Sequence, residues 1–285
     1  MSKLTDISYV KGVLSKYGFT FSKALGQNFL INPNVCPKMA EMSGASETVG
    51  AIEIGPGAGV LTNELAKISH KVVAVELDKR LLPVLNETLS EHKNIKIIHG
   101  DVMKLDLKKV IEQEFGSGEV VVCANLPYYI TSPVIMRLLE ERLPINTLTV
   151  MVQKEAADRI CAAPGTRASG AISAAVHYYS APELLFKVSK GSFIPSPKVD
   201  SAVIRMNILK EPPINITNEQ LFFKIVKASF SQRRKTLSNS LSSGMSMSKS
   251  EINEILSSAG IKPTARAEEM TMEQFAEIVN QFRNT

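Results

Sequence analysis

The stretch Gly50-Ala51-Ile52-Glu53-Ile54-Gly55-Pro56-Gly57-Ala58-Gly59-Val60-Leu61-Thr62 decides the fold. Its short apolar opening predicts a buried strand, its three alternate glycines a tight turn, and Val60 the start of a helix. A glycine-rich turn at the carboxyl end of a strand lets a ligand approach the backbone. Glycine alone is weak, because such a turn also serves tight packing. The dinucleotide pattern G-x-G-x-x-G would place a glycine at position 60; position 60 is Val and the third glycine comes one residue early. The G-x-G-x-G form favours a nucleoside without a pyrophosphate.

Outward from this turn, the runs Lys71-Val72-Val73-Ala74-Val75, Ile95-Lys96-Ile97-Ile98 and Val120-Val121-Val122-Cys123 follow at helix-length intervals, and Leu148 to Val152 continues the series. Strands so separated make parallel β-α-β units. Glu183 to Val188 and Ala202 to Ile208 read as two final strands, close enough in the chain to pair antiparallel. Upstream, helices are expected near Ile7 to Tyr17 and Asn34 to Ser43. Two prolines in Lys210-Glu211-Pro212-Pro213 break the pattern, and the remainder reads helical. Ser248-x-x-Glu251 and Thr271-x-x-Gln274 resemble capping boxes, Gly260 suits a helix C-terminus, and the Ser/Met-rich stretch Ser238 to Ser250 reads as a mobile loop. The expected architecture is α/β: a Rossmann-like sheet over 1–209, mostly parallel with an antiparallel last strand, plus a small all-helical domain over 210–285.

Three acids sit at successive strand ends, on the edge of the sheet where ligands bind. Glu76 lies roughly 20 residues past the glycines, the distance at which a carboxylate reaches ribose hydroxyls. Asp101, in Gly100-Asp101-Val102, is placed to accept from an adenine amine, and Glu53 to orient the turn and the cofactor's amino-acid part. A single strand-end acid is more often a helix cap or a surface residue; three in succession reverse that preference.

Asn125-Leu126-Pro127-Tyr128 ends the fourth strand, where a substrate should meet the cofactor. An adenine amine is a poor nucleophile because its lone pair is delocalised into the ring. Two acceptors aimed at its N–H bonds help localise that pair as a methyl group transfers. The Asn125 side-chain oxygen supplies one, and the Leu126 carbonyl the other, since Pro127 keeps Leu126 extended. Tyr128 offers a flat stacking surface, and Phe193, in Ser192-Phe193-Ile194-Pro195, a second jaw, although an isolated Phe is more often a core aromatic. This pattern points to S-adenosylmethionine as methyl donor and calls for no metal.

The 285 residues carry a net charge of +5. Between Phe186 and Ser240 ten Lys/Arg face three acids, a local +7, and the rest is −2. Such a segment is either an electrostatic footprint for nucleic acid or a solvated basic face; Arg233, Arg234 and Lys235 are its densest part. The three cysteines Cys36, Cys123 and Cys161 have no paired spacing, which argues against a disulfide framework or a zinc site. No apolar run approaches the roughly 18 residues of a membrane span, and the N-terminus lacks a signal-peptide core. A soluble, cytoplasmic monomer is expected.

Over nearly the whole chain the residues resemble the ribosomal RNA adenine N6-dimethyltransferase family, most closely its bacterial small-subunit branch. The resemblance rests on Leu25-Gly26-Gln27-Asn28-Phe29-Leu30, the glycine turn, Glu76, Gly100-Asp101, Asn125-Leu126-Pro127-Tyr128-Tyr129-Ile130, Val152-Gln153-Lys154-Glu155, Phe193-x-Pro195-x-Pro197-x-Val199, Phe230-Ser231-Gln232-Arg233-Arg234-Lys235-Thr236-Leu237 and Arg266-Ala267-Glu268-Glu269-Met270. It implies four methyl transfers to two adjacent adenosines in the hairpin near the 3′ end of 16S ribosomal RNA, during small-subunit assembly. It also implies cofactor contacts for Gln27, Asn28 and Leu30, which by pattern alone are a loop. The rivals are an Erm-type enzyme acting on large-subunit RNA, against which the carboxyl-terminal motifs argue, and a non-catalytic RNA-binding scaffold, which intact Asn125 and Tyr128 disfavour.

Overall fold

The chain is described by a computed structural model over residues 3–19, 28–232 and 234–282. Its strands are β1 (Phe29–Leu30), β2 (Gly50–Ile54), β3 (Val72–Glu76), β4 (Ile95–His99), β5 (Val120–Asn125), β6 (Thr147–Gln153), β7 (Ser180–Val188), β8 (Phe193–Ile194) and β9 (Ser201–Ile208). All but β1 and β8 form one sheet in the order β4-β3-β2-β5-β6-β9-β7. The first four junctions are parallel, and β9 runs antiparallel to β6 from Thr147↔Asn207 to Gln153↔Ser201.

Strands β2 and β3 are buried at every position, which is why they read as near-continuous apolar runs rather than alternating ones. At the edge, β4 is only partly buried. Building proceeds outward from β2 to β3 and β4, then returns to place β5 on its other side. The reversal opens a crevice beyond the carboxyl ends of β2 and β5, the switch point where open α/β sheets bind ligands.

Helices α1 (Ile7–Lys16), α2 (Val35–Glu41), α3 (Val60–Ile68), α4 (Leu82–Thr88), α5 (Leu107–Phe115) and α6 (Thr131–Glu140) accompany these strands. Asp6 caps α1 by accepting from the Ser8 and Tyr9 amides, and Asp106 caps α5 by accepting from the Lys109 amide. A small antiparallel ladder pairs Leu30 of β1 with Phe193 of β8 and so brings residues distant in sequence to one place.

The remaining helices are α7 (Lys154–Cys161), α8 (Ala171–Tyr179), α9 (Glu219–Ser229), α10 (Leu237–Met245), α11 (Lys249–Ser258) and α12 (Met272–Gln281). Contacts divide the chain into one unit of 1–157 with 183–208 and another of 158–182 with 209–285. One crossing falls at 208/209, beside the boundary expected from the prolines. The helical unit additionally takes in 158–182, which sequence periodicity assigned to the larger domain. Within that unit Phe222 and Phe275 are fully buried with ring centroids 6.5 Å apart, each side chain stabilising the fold by roughly 1.5–3 kcal/mol. Ser238 to Ser250 is not a loop. It forms most of α10 and the start of α11, because Ser238 and Ser240 face inward where small side chains suit close packing: Ser240 is fully buried, and a Cβ on Gly244 would stand 2.5 Å from that of Ala228. Both capping boxes are formed, Ser248 with Glu251 and Thr271 with Gln274. Among the described residues no helix is long and apolar enough to cross a membrane.

Candidate active site

A cavity opens at the carboxyl edge of the sheet, lined from the glycine turn, from the ends of β3, β4 and β5, and from the Asn28–Leu30 segment. At its floor the turn after β2 needs glycine for two different reasons. Gly55 has φ +72° and a Cβ there would meet nothing within 4 Å, so its bare backbone faces the cavity. Gly59 (φ +88°) is the left-handed N-cap of α3 and lies against Leu89, 3.0 Å from a would-be Cβ. Gly59, expected at the cofactor from the motif, does not line the cavity, and its left-handed backbone shapes the turn whose neighbours Gly55 and Gly57 do.

Two carboxylates meet beneath that turn. Glu76 accepts from the Asp78 amide at 2.7 Å and, through its other oxygen, from the Gly57 amide at 3.4 Å, which ties the end of β3 to the glycine turn. Burial raises its pKa against the opposing pull of those amides. Glu53 is 1% exposed, and its Oε2 has no hydrogen-bond partner among the described residues. Burial pushes its pKa up to about 8, the Thr62 hydroxyl pulls it down, and the Glu76 charge adds to the rise. A buried acceptor left without a partner costs about 1–3 kcal/mol, so a cationic donor in the cavity would be strongly preferred there. Asp101 uses one oxygen to accept from the Met103 amide at 2.9 Å, and its other oxygen stands 3.8 Å from Lys104 Nζ. Val102 is buried and lines the cavity beside it.

β5 delivers Asn125 to the opposite wall. Among the described residues the Asn125 side-chain amide makes no hydrogen bond, and the Leu126 carbonyl accepts none from the backbone. Pro127 adopts φ −55°, ψ 132°, and its carbonyl, not that of Leu126, accepts from the Ile130 amide at 3.1 Å. The next three residues, Tyr128–Ile130, make a single tight turn that runs into α6. Tyr128 is half-buried; burial raises its pKa while its contact with Ser201 opposes the rise. Phe193 also lines the cavity but is only 4% exposed and packs with Leu30, Val60 and Met151. It therefore serves the core as well as the wall, the ordinary lot of a Phe in a buried ladder.

Of the other residues expected at the cofactor, Asn28, Leu30, Gly57 and Glu76 line the cavity. Gln27 and Arg233 lie outside the described residues. Arg234 and Lys235 are exposed. Arg205 leaves the basic segment's footprint, since it pairs with Glu183 at 2.7 Å and donates to the Met42 carbonyl. The lining also holds residues that motif reading missed. Leu77 (51% exposed) and Tyr129 (59% exposed) are large exposed apolar side chains next to Glu76 and Tyr128, and that adjacency was the available signal. Cys36, Met39 and Met151 join through tertiary packing and had none. Among the described residues no cluster of His, Cys, Asp and Glu could hold a metal ion.

The cavity fits S-adenosylmethionine on its own donors and acceptors. The orphaned Glu53 carboxylate suits an ammonium group, the anchored Glu76 a ribose diol, and Asp101 with the apolar faces of Leu77 and Val102 an adenine.

The family described as ribosomal RNA adenine dimethylase matches residues 18–284. The chain is 50% identical over 277 residues to the ribosomal RNA small subunit methyltransferase A of Geobacillus sp. (strain WCH70), covering 95% of each. To the protein of the same name from Alkaliphilus oremlandii (strain OhILAs) it is 47% identical, covering 98% of each. Among solved structures, a dimethyladenosine transferase from Plasmodium falciparum shares the fold at a TM-score of 0.73 and 22% identity, over 90% of this chain and 97% of that one. The 23S rRNA methyltransferase ErmE aligns at a TM-score of 0.67 and 26% identity, over 90% of this chain and all of that one. With a family match from residue 18 to 284 and relatives this similar end to end, the chain belongs to the ribosomal RNA adenine dimethylase family.

Proposed function

We propose that this chain dimethylates the N6 amines of two adjacent adenosines in the 3′-terminal hairpin of 16S ribosomal RNA, within the assembling small subunit, as a cytoplasmic monomer. The observation that carries the reading is the pair of unengaged acceptors, the Asn125 side chain and the Leu126 carbonyl, on the cavity wall that also bears Tyr128. The small subunit as target is supported by the names of relatives that are close to half identical along the whole chain.

When bound, S-adenosylmethionine supplies an electrophilic methyl group. Asn125 and the Leu126 carbonyl each accept an N–H of the target amine, which pulls its lone pair out of ring conjugation toward the incoming methyl. Tyr128 stacks on the extruded base, and stacking worth about 1–3 kcal/mol offsets much of the unstacking cost. After the first transfer one N–H remains, so one acceptor goes unused and the second transfer leans more on Tyr128. Arg233, Arg234 and Lys235 engage the phosphate backbone.

The test is incubation with labelled S-adenosylmethionine and, separately, unmethylated small and large ribosomal subunits, followed by mapping of the labelled adenosines. Two adjacent dimethylated adenosines in small-subunit RNA are expected. Label confined to the large subunit would transfer the reading to the activity that ErmE's name describes, and label in neither would leave a scaffold.

A further inference from the structure

Arg137, on the second turn of α6, has a side chain only 18% exposed. Its Nε donates to Glu141 Oε1 at 2.5 Å, its Nη1 to the Val102 carbonyl and its Nη2 to the Leu105 carbonyl at 2.9 Å. Those carbonyls belong to the turn after β4, which is wound about Asp101: the Asp101 carbonyl accepts from the Lys104 and Leu105 amides at 2.8 and 2.9 Å, and its carboxylate accepts from Met103. Gly100, Asp101 and Val102 of this turn line the cavity. The helix that bears Arg137 starts at Thr131, directly after Tyr128–Ile130, and the Thr131 hydroxyl donates back to the Pro127 carbonyl at 3.4 Å. A single guanidinium thus joins the loop at the end of β4 to the helix that grows out of the loop at the end of β5. Only a planar fork with several fixed donors can serve two carbonyls and a carboxylate at once; a lysine ammonium on the same stem reaches fewer.

We propose that Arg137 is a positioning residue: it sets the adenine-reading loop Gly100–Leu105 against the Asn125–Tyr128 turn, so that cofactor and target base are held in one frame. The proposal rests on the reading of Asp101 and Val102 as adenine contacts. It predicts that loosening Arg137 degrades recognition of the cofactor's base before it degrades the fold.

The test compares wild type, Arg137→Lys and Glu141→Gln for calorimetric affinity toward S-adenosylhomocysteine and S-inosylhomocysteine, which differ only at the purine's Watson–Crick edge (6-amino and bare N1 against 6-oxo and N1–H), together with each Tm. Wild type should prefer the adenosyl compound. Arg137→Lys should shrink that preference about fivefold to tenfold, the size of one weakened hydrogen bond, with a Tm near wild type. Glu141→Gln, which keeps both carbonyl bonds, should retain the preference. Hydrogen exchange at the Lys104 and Leu105 amides should accelerate in Arg137→Lys, and Arg137→Gln provides the same readings should the lysine variant fail to fold. A full wild-type preference with unchanged amide protection in the variant would overturn the proposal alone. Equal affinities in wild type would overturn the adenine reading itself, and the proposal with it.

Discussion

The Tyr128 hydroxyl lies 2.8 Å from the Ser201 hydroxyl, so the ring at the reacting end of the cavity is pinned to the first residue of β9. Removing either hydroxyl releases the same ring. Ser201→Ala and Tyr128→Phe should each lower kcat/KM for RNA about fivefold, the worth of one hydrogen bond near 1 kcal/mol, and the double variant should fall no further. Steady-state kinetics on the three variants checks this; additive losses would show that the two hydroxyls act separately.

Asn125→Ala should slow methyl transfer by about 10²–10³-fold, the usual cost of deleting one donor or acceptor aimed at a transition state. RNA affinity should stay near normal, since the residue is read as meeting the reacting amine and the cofactor rather than the RNA backbone. Single-turnover rates alongside filter binding separate the two effects.

Glu53 keeps its proton to about 8, whereas an ordinary glutamate loses it near 4.5. Between these values the native state binds more protons than the unfolded chain, so the stability this difference contributes is complete below the unfolded value and lost as pH rises through the folded one. Glu76, raised in the same direction, adds to the trend. Without cofactor, Tm should fall across that window, and Glu53→Gln should flatten much of the slope. Cofactor binding near neutral pH should release a proton, measurable by calorimetry in buffers of different ionisation heat.

The glycines of the turn should separate in their consequences. Gly59→Ala meets Leu89 and a left-handed backbone, and should cost about 1–2 kcal/mol of stability in chemical denaturation. Gly55→Ala carries similar strain without the clash but sets a methyl at the cavity floor, so it should lose cofactor affinity beyond its loss of stability.

Replacing Arg233, Arg234 and Lys235 with alanine should weaken RNA binding and flatten its salt dependence, each lost phosphate contact lowering the slope by about 0.7 to 0.9 units. A slope equal to wild type would place the footprint elsewhere.

Sheet and switch point were legible in the sequence because β2, β3 and β5 are buried almost throughout and so appear as near-continuous apolar runs. Glu53 and Glu76 were legible for the same reason, since a charged residue stands out in or at the end of such a run. What escaped depended on distance along the chain. Leu30 and Phe193 meet only because a two-residue ladder forms, and two residues carry no periodicity. Residues 238–250 were misread because serine is commonest in turns, while here close approach of α10 to α9 at Gly244 rewards small side chains. Arg137 showed in sequence only its i,i+4 pairing with Glu141; its reach to the loop after β4 carried no signal, since the partners there are carbonyls that any sequence supplies.

The antiparallel seam between β6 and β9 also constrains how the protein is born. Every residue pair from Thr147↔Asn207 to Gln153↔Ser201 waits for a strand separated from its partner by residues 154–200. At ribosomal speeds of roughly 5–20 residues per second, the apolar edge of β6 stands without its neighbour for a few seconds in every round of synthesis. For that interval the nascent chain holds its glycine turn, its acids and Asn125, yet has neither the serine that pins Tyr128 nor a closed sheet. Competence thus waits for β9, when the growing polypeptide covers its own exposed border.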